Sequence, residues 1–310
     1  MKYFLVFVFL CNLTQNFALD QHNLFEKLYG VSKTISSSPW HIESVHWNIK
    51  TLVSKTVSLR AGFFKENDQV PFKGNILYLE GLGDSMLNHD PYFKILSDEG
   101  YRVISFDYMG QGGSEGSMND TRLYDKVDKK SISVMAKFIY QRFKRKEGDQ
   151  KVRLIGWSTG GLASYMLAVE GWADQVVLIA PGLAPKLIVG DKFKITMGTL
   201  TSAQYLDNKD PHVDMIKPNS PIKVPFFASN LIATSLVSSK KTIGSHIKGL
   251  VFTGGDDRYV FHKRTKRLIN KNASHFEIYH YSKAKHEIHN EIKETRLDLY
   301  KKTIEFFNSY

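Results

Sequence analysis

Lys151-Val152-Arg153-Leu154-Ile155-Gly156-Trp157-Ser158-Thr159-Gly160-Gly161 joins a short apolar run to a serine set between glycines. Behind it, Leu162–Val169 keeps the apolar spacing of a helix. The order strand, turn, helix gives the pattern Gly-x-Ser-x-Gly its meaning, because a serine on such a turn has its hydroxyl lifted above the end of a strand. Gly156 and Gly160 leave room where any side chain would collide across the turn. Ser158 is therefore the candidate nucleophile.

The same alternation runs outward from this point. Gly74–Glu80 and Tyr101–Asp107 are continuous apolar runs, as buried parallel strands are, and Gln175–Ala180, Ile247–Thr253 and His275–Tyr281 read as further strands. Val127–Phe143, His262–Asn270 and Glu287–Phe307 have helical spacing. His41–Lys50 and Thr56–Lys65 alternate like an antiparallel pair. Strands alternating with helices predict the α/β class, with a mostly parallel central sheet and helices on both faces. Residues 183–246 break the rhythm, with five prolines (Pro185, Pro211, Pro218, Pro221 and Pro225) and apolar stretches such as Val224–Leu236. This segment is expected to be an inserted cap over the carboxyl ends of the strands, where open α/β sheets place their sites. A plain surface excursion is the simpler alternative.

Composition narrows the class. The chain has 310 residues, 42% hydrophobic and 24% charged, which is ordinary globular usage with enough length for a large core. Its single cysteine, Cys11, rules out a disulfide framework and any zinc ribbon or iron–sulfur cluster. The net charge of +11 suits an anionic partner such as an anionic membrane surface. Its basic residues are dispersed from Lys27 to Lys302 rather than gathered in one arm, so a nucleic-acid partner is not expected. Met1 and Lys2 followed by the apolar Tyr3–Leu13 fit a secretory signal peptide over residues 1–18, too short to span a bilayer and cut after Ala18. The remaining chain, 19–310, would be exported, secreted or periplasmic, without a thiol and with a net charge lower by one through the loss of Lys2. A buried first strand or helix is the alternative.

A serine needs a base to take its proton. On a turn of this kind the partners follow in the order serine, acid, histidine. The acid lies in Gly254-Gly255-Asp256-Asp257, just after one expected strand, and the histidine is His286, just after another. Both fall on the same sheet edge as Ser158. His280 is expected within or beside a strand and His289 on a helix face one turn beyond His286.

Here the chain resembles the α/β hydrolases of the lysophospholipase and monoacylglycerol-lipase branch, the S33-type hydrolase domain. The resemblance rests on Gly81-Leu82-Gly83, Asp107-Tyr108-Met109-Gly110-Gln111-Gly112-Gly113-Ser114, the turn at Ser158, the Asp257 segment and His286-Glu287-Ile288, in order across residues 74–291. It implies an α/β-hydrolase fold, a serine esterase acting on lipid, and no cofactor. It favours Asp257 over Asp256 as the acid, from the pattern Asp-Arg-x-Val, and makes Asp107 a structural loop aspartate. It implies an oxyanion hole from the backbone N–H groups of Thr159 and Leu82. The chain departs from the family in one place: Glu80 stands where a histidine usually precedes the Gly-x-Gly turn, and a carboxylate pointing inward there would repel a developing oxyanion.

Other patterns yield to this one. Gly83-Asp84-Ser85-Met86 resembles the start of a GDSL-type hydrolase, but the Asp-x-x-His segment of that family is absent from the chain. His286, His289 and Glu291 lack the spacing of a zinc helix, so no metal is expected. The run His262–Arg267 reads as a solvated basic helix face or, more sharply, a phospholipid-facing patch. In the insertion, Phe193, Phe226, Phe227 and Leu231 offer apolar surface to an acyl chain or form its own core. The expected substrate is a lysophospholipid or monoacylglycerol, with a short-chain carboxylesterase or thioesterase, an S33-type peptidase, or a non-catalytic binding protein of the same fold as alternatives.

Overall fold

The computed structural model describes residues 39–49, 55–186 and 224–309. Strands β1 (Trp40–Ile49) and β2 (Lys55–Phe64) open the fold as an antiparallel pair, followed by β3 (Gly74–Leu79), α1 (Asp90–Asp98), β4 (Tyr101–Phe106), α2 (Ile132–Phe143), β5 (Arg153–Trp157), α3 (Thr159–Val169) and β6 (Gln175–Ile179). Then come α4 (Val224–Ser238), β7 (Lys248–Gly254), α5 (His262–Asn272), β8 (Glu277–Tyr281) and α6 (Lys293–Asn308). The eight strands form one sheet in the order β1-β2-β4-β3-β5-β6-β7-β8, parallel from β4 to β8. This is the α/β architecture expected from the alternation.

Successive residues along the central strands serve opposite faces. Leu77 and Leu79, Leu154, Val176 and Leu178, and Val251 join a core that includes Met135 and Ile139 of α2 and Leu162 and Leu167 of α3. Ile76 and Tyr78, Ile155, Val177 and Ile179, and Phe252 join a second core with Phe93 and Leu96 of α1 and Leu299, Tyr300 and Phe307 of α6. A strand buried on both sides has no polar face, which is why these segments read as unbroken apolar runs.

Three elements differ from the sequence expectation. The helix expected from Val127 begins at Ile132: Asp125 takes the N–H groups of Val127 and Asp128 at 2.8 and 2.9 Å, leaving Val127 exposed, and Ser131 caps the helix. The helix expected from Glu287 is split into a 3₁₀ turn, Ile288–Asn290, and α6, because the buried Glu291 carboxyl takes the N–H groups of Lys285 and Ile292 at 2.8 and 3.1 Å. The third is α1, preceded by a 3₁₀ turn at Met86–His89. No expected element covers this segment, and Pro91 marks the start of α1.

The apolar stretch of the insertion forms α4. Residues 187–223, like the proposed signal peptide, lie outside the described residues. Among the described residues no helix is long and apolar enough to cross a membrane.

Candidate active site

Ser158 follows the last residue of β5 and precedes the first of α3. Its φ of 54° lies in the left-handed region that side chains avoid, so the turn stores strain. Neighbours enforce it. The Ser158 N–H bonds to Ile179 O at 3.0 Å, and its carbonyl accepts from Leu162 N and Gly182 N at 3.1 and 2.8 Å. A Cβ on Gly156 would sit 2.3 Å from Ser164 Oγ, and one on Gly160 would sit 2.1 Å from Leu79 O. The tight turn leaves the Ser158 side chain half-buried at the carboxyl end of the sheet.

The acid and the histidine come from the loops after β7 and β8, which backbone bonds tie together: Gly255 N to Tyr281 O at 2.9 Å and Asp256 N to Ala284 O at 3.0 Å. Gly254 lies so close to the second loop that a Cβ would meet Lys285 O at 2.3 Å. The result joins three distant residues. His286 Nε2 lies 2.8 Å from Ser158 Oγ, and His286 Nδ1 lies 2.8 Å from Asp257 Oδ2. The other oxygen of Asp257 accepts from the N–H groups of Tyr259 and Val260 at 2.7 and 2.9 Å. Burial would raise the Asp257 carboxyl, but the charge and hydrogen bond of His286 and the two backbone donors outweigh it and hold it below the usual range. Asp257 is thus a fixed acceptor for the Nδ1 proton, leaving Nε2 as the acceptor for Ser158. The His286 ring sits between Tyr259 and Trp157, with centroids 4.8 and 5.6 Å away. Asp256, the alternative acid, is exposed.

Backbone from two other elements flanks the serine. Thr159 opens α3, and Leu82 stands half-buried in the turn after β3. That turn presses on the neighbours of Ser158: a Cβ on Gly81 would meet the Trp157 ring at 2.5 Å, and Gly160 N bonds to Glu80 O at 3.0 Å. Glu80 itself is fully buried, and Gln111 Nε2 donates to its Oε1 at 2.6 Å.

Asp107 is buried in an ion pair with Arg60 and accepts from Met86 N and Gly113 N, so it shapes the loop and lies outside the serine–histidine–aspartate relay. Ser85 serves as a cap and as an acceptor for Arg60. His280 is on edge strand β8, exposed, bonded to Thr253. Leu231 packs into the core beside Gly182. Phe193 lies outside the described residues; Phe226 and Phe227 fall on α4, with their side chains also outside them.

His289 is no helix-face residue. It is fully buried, with Nε2 3.1 Å from His89 Nδ1 and 3.2 Å from the Tyr78 hydroxyl. Among the described residues His89, Glu287 and His289 carry ligand-type atoms within 4.8 Å of one another. A ligating imidazole hands its other N–H to an acceptor. His89 has one, Asp84 Oδ2 at 2.7 Å, but His289 Nδ1 has no partner among the described residues. The donors suit a relay better than an ion, with His289 donating to His89 and His89 to Asp84. Burial, with His89 and His286 nearby, keeps His289 well below the usual imidazole range. The spacing of residues 89 and 289 gives no sequence signal for this pair.

A family model described as serine aminopeptidase, S33, matches residues 71–243, more than half of the chain. The chain belongs to this family of α/β hydrolases. The S33 match holds the turn at Ser158 and the Leu82 turn; Asp257 and His286 lie beyond it. Of curated relatives, the lysophosphatidylserine lipase ABHD12 of Danio rerio is 34% identical over 98 residues, 30% of this chain and 22% of that protein. The chain thus spans less than a quarter of that relative's length. Among solved structures, the monoacylglycerol lipase of Paleococcus ferrophilus has a TM-score of 0.62 at 20% identity, covering 81% of this chain and 98% of that one. The monoglyceride lipase of Saccharomyces cerevisiae has a TM-score of 0.64 at 14% identity, covering 90% and 97%. At these identities the two structures speak to the fold.

Proposed function

We propose that the protein is a serine hydrolase that cleaves a carboxylic ester of a lipid-like substrate, a lysophospholipid or monoacylglycerol, through an acyl-enzyme on Ser158. The observation that carries this reading is the continuous relay from Ser158 Oγ through His286 to Asp257 at 2.8 Å for each link. His286 takes the Ser158 proton as Oγ attacks the ester carbonyl carbon. It then returns that proton to the departing alcohol. Water repeats the sequence in reverse, freeing the acid and restoring the serine. Asp257 fixes the tautomer and stabilises the imidazolium. The N–H groups of Thr159 and Leu82 receive the oxyanion. Positioned proton transfer typically contributes ~10²–10⁴ in rate and an oxyanion donor ~10²–10³.

The lipid assignment draws on the lipase named among the relatives, the apolar insertion and the basic balance of the chain. Leu231 packs beside Gly182, whose N–H holds the Ser158 carbonyl, so the insertion reaches the nucleophile's surroundings. Phe193, Phe226 and Phe227 are the further acyl-chain contacts proposed from the insertion. The family's description as an aminopeptidase makes an amide substrate the second reading. A signal over residues 1–18 would export the enzyme and bring it to lipid at an anionic surface.

The test is a substrate panel with the full chain: a lysophospholipid, a monoacylglycerol, a short-chain nitrophenyl ester and an aminoacyl amide. The lipid esters are expected to give the highest kcat/KM. Preference for the short ester would assign a carboxylesterase, and preference for the amide a peptidase.

A further inference from the structure

We propose that Glu80 and Gln111 are positioning residues for this hydrolysis, a carboxyl–amide pair that sets the Gly81-Leu82-Gly83 turn beside the nucleophile and works only while the Glu80 carboxyl is uncharged. The proposal rests on the reading of Ser158 as the nucleophile and Leu82 as an oxyanion donor.

Gln111 grips the turn at both ends. Its Nε2 donates to Gly81 O at 2.9 Å, and its Oε1 accepts from Gly83 N at 2.7 Å. The second Nε2 hydrogen goes to Glu80 Oε1 at 2.6 Å. All three bonds fix the amide in one orientation, since a flip would set donor against donor at Gly83. Gln111 is fully buried and is held by its own loop, with its N–H on Tyr108 O at 2.9 Å and its carbonyl accepting from Ser114 N at 3.0 Å. The Leu82 N–H sits between the two gripped residues and takes part in none of these bonds, so it remains for an incoming oxygen. Glu80 completes the frame. Its carbonyl accepts from the Tyr108 hydroxyl at 2.8 Å and from Gly160 N at 3.0 Å, linking the turn to the start of α3.

The charge state follows from who faces Glu80. The turn after β4 brings Asp107 and Tyr108, the turn after β3 brings Asp84, and Tyr78 comes from β3 itself. The nearby cation, Arg60 of β2, is committed to Asp107 and the Ser85 hydroxyl. Asp84 is engaged by Asn88 Nδ2 at 2.9 Å and by His89 Nε2 at 2.7 Å. What remains for the Glu80 side chain is the neutral Gln111 amide and a long 3.4 Å contact from Tyr108 N, while Oε2 has no partner among the described residues. An ionised carboxylate accepts up to four hydrogen bonds and is poorly tolerated in a dry site without them. Burial, then the negative charges of Asp107 and Asp84, push the carboxyl well above its ordinary range. A neutral acid can occupy this place without opposing an oxyanion at Leu82, which answers the objection raised by a glutamate in the family's histidine position.

The experiment compares wild type, Glu80→Ala, Glu80→Gln and Gln111→Ala on a soluble nitrophenyl ester across pH, after fluorophosphonate labelling has been mapped in wild type. Glu80→Ala and Gln111→Ala are expected to lower kcat about 10²-fold, the scale of a lost oxyanion donor, with KM changed far less. Glu80→Gln, an uncharged mimic, should recover at least about tenfold of the Glu80→Ala loss. Wild type should lose kcat on the alkaline side as the Glu80 carboxyl ionises, and Glu80→Gln should not. A Glu80→Gln enzyme as slow as Glu80→Ala, or with the wild-type alkaline profile, overturns the proposal. If Glu80→Ala does not fold, the infrared difference between wild type and Glu80→Gln decides, and absence of a protonated-carboxyl band overturns it. A wild type left unlabelled at Ser158 overturns the underlying reading and takes this one with it. Labelling at Ser158 with no rescue removes this one alone.

Discussion

Trp157 donates its indole N–H to the backbone carbonyl of His286 at 3.1 Å, so the residue before Ser158 steadies the histidine that faces it. Its ring also packs against the imidazoles of His286 and His289. Trp157→Phe keeps most of the packing and removes the bond. It is expected to cost about 1 kcal/mol of stability, the net worth of a typical hydrogen bond. A several-fold drop in kcat should accompany it. Urea unfolding and initial-rate assays on the same preparation separate the two effects, and an unchanged kcat would make the bond merely structural.

The choice of acid is open to a direct comparison. Asp257→Asn should lower kcat by about 10²–10⁴, because the amide no longer fixes the proton on His286 Nδ1. Asp256→Asn, at an exposed position one residue earlier, should leave the rate within about twofold, as a surface change away from the relay. Equal losses in the two variants would transfer the role or divide it.

Much of this site was legible in the sequence. Ser158, Asp257 and His286 each sit within a few residues of the carboxyl end of a parallel strand, and strand ends of this kind are read from apolar runs and glycine turns. The elements that escaped are those set by tertiary contacts. The 3₁₀ turn at Met86–His89 depends on the Ser85 cap and on Asp107 receiving Met86 N, 21 residues away. The break before α6 depends on Glu291 reaching back to Lys285. The pairing of His89 with His289 spans 200 residues and has no local pattern behind it. Glu80 looked like an obstacle in isolation because Gln111, its partner, belongs to a different turn.

Stability should depend on pH through buried carboxyls. Burial, then the charge of Asp84, hold Glu287 well above its ordinary 4.5 despite the hydrogen bond from Asn290. The folded protein therefore keeps a proton that the unfolded chain releases above about 4.5. For this group, stability is full below that pH and falls by about 1.4 kcal/mol per pH unit as pH climbs toward the folded value. Asp257 and Glu66, both held low in the folded state, act in the opposite sense and lose their contribution as pH falls below about 4. His289, held low, gains stability over the same interval, so the prediction is a difference: from pH 5 to pH 7 the urea midpoint of Glu287→Gln should fall less, or rise more, than that of wild type. An identical change in the two proteins would contradict this account.

The Arg60–Asp107 pair anchors the loop that carries Gln111. Asp107 is fully buried, and Arg60 nearly so. Arg60→Met leaves that carboxyl without its cation, which should cost about 3–5 kcal/mol. A drop in Tm of several degrees would accompany it, and a change below about 1 kcal/mol would show that the loop does not rely on the pair.

The most direct measurement is hydrolysis of a nitrophenyl ester by Ser158→Ala beside wild type, with thermal unfolding recorded for both. The relay predicts that the variant folds with a Tm close to that of wild type, since the backbone contacts that hold the turn do not involve the hydroxyl, and that turnover falls by at least about 10³. A folded Ser158→Ala protein that hydrolyses the ester at the wild-type rate would contradict the account.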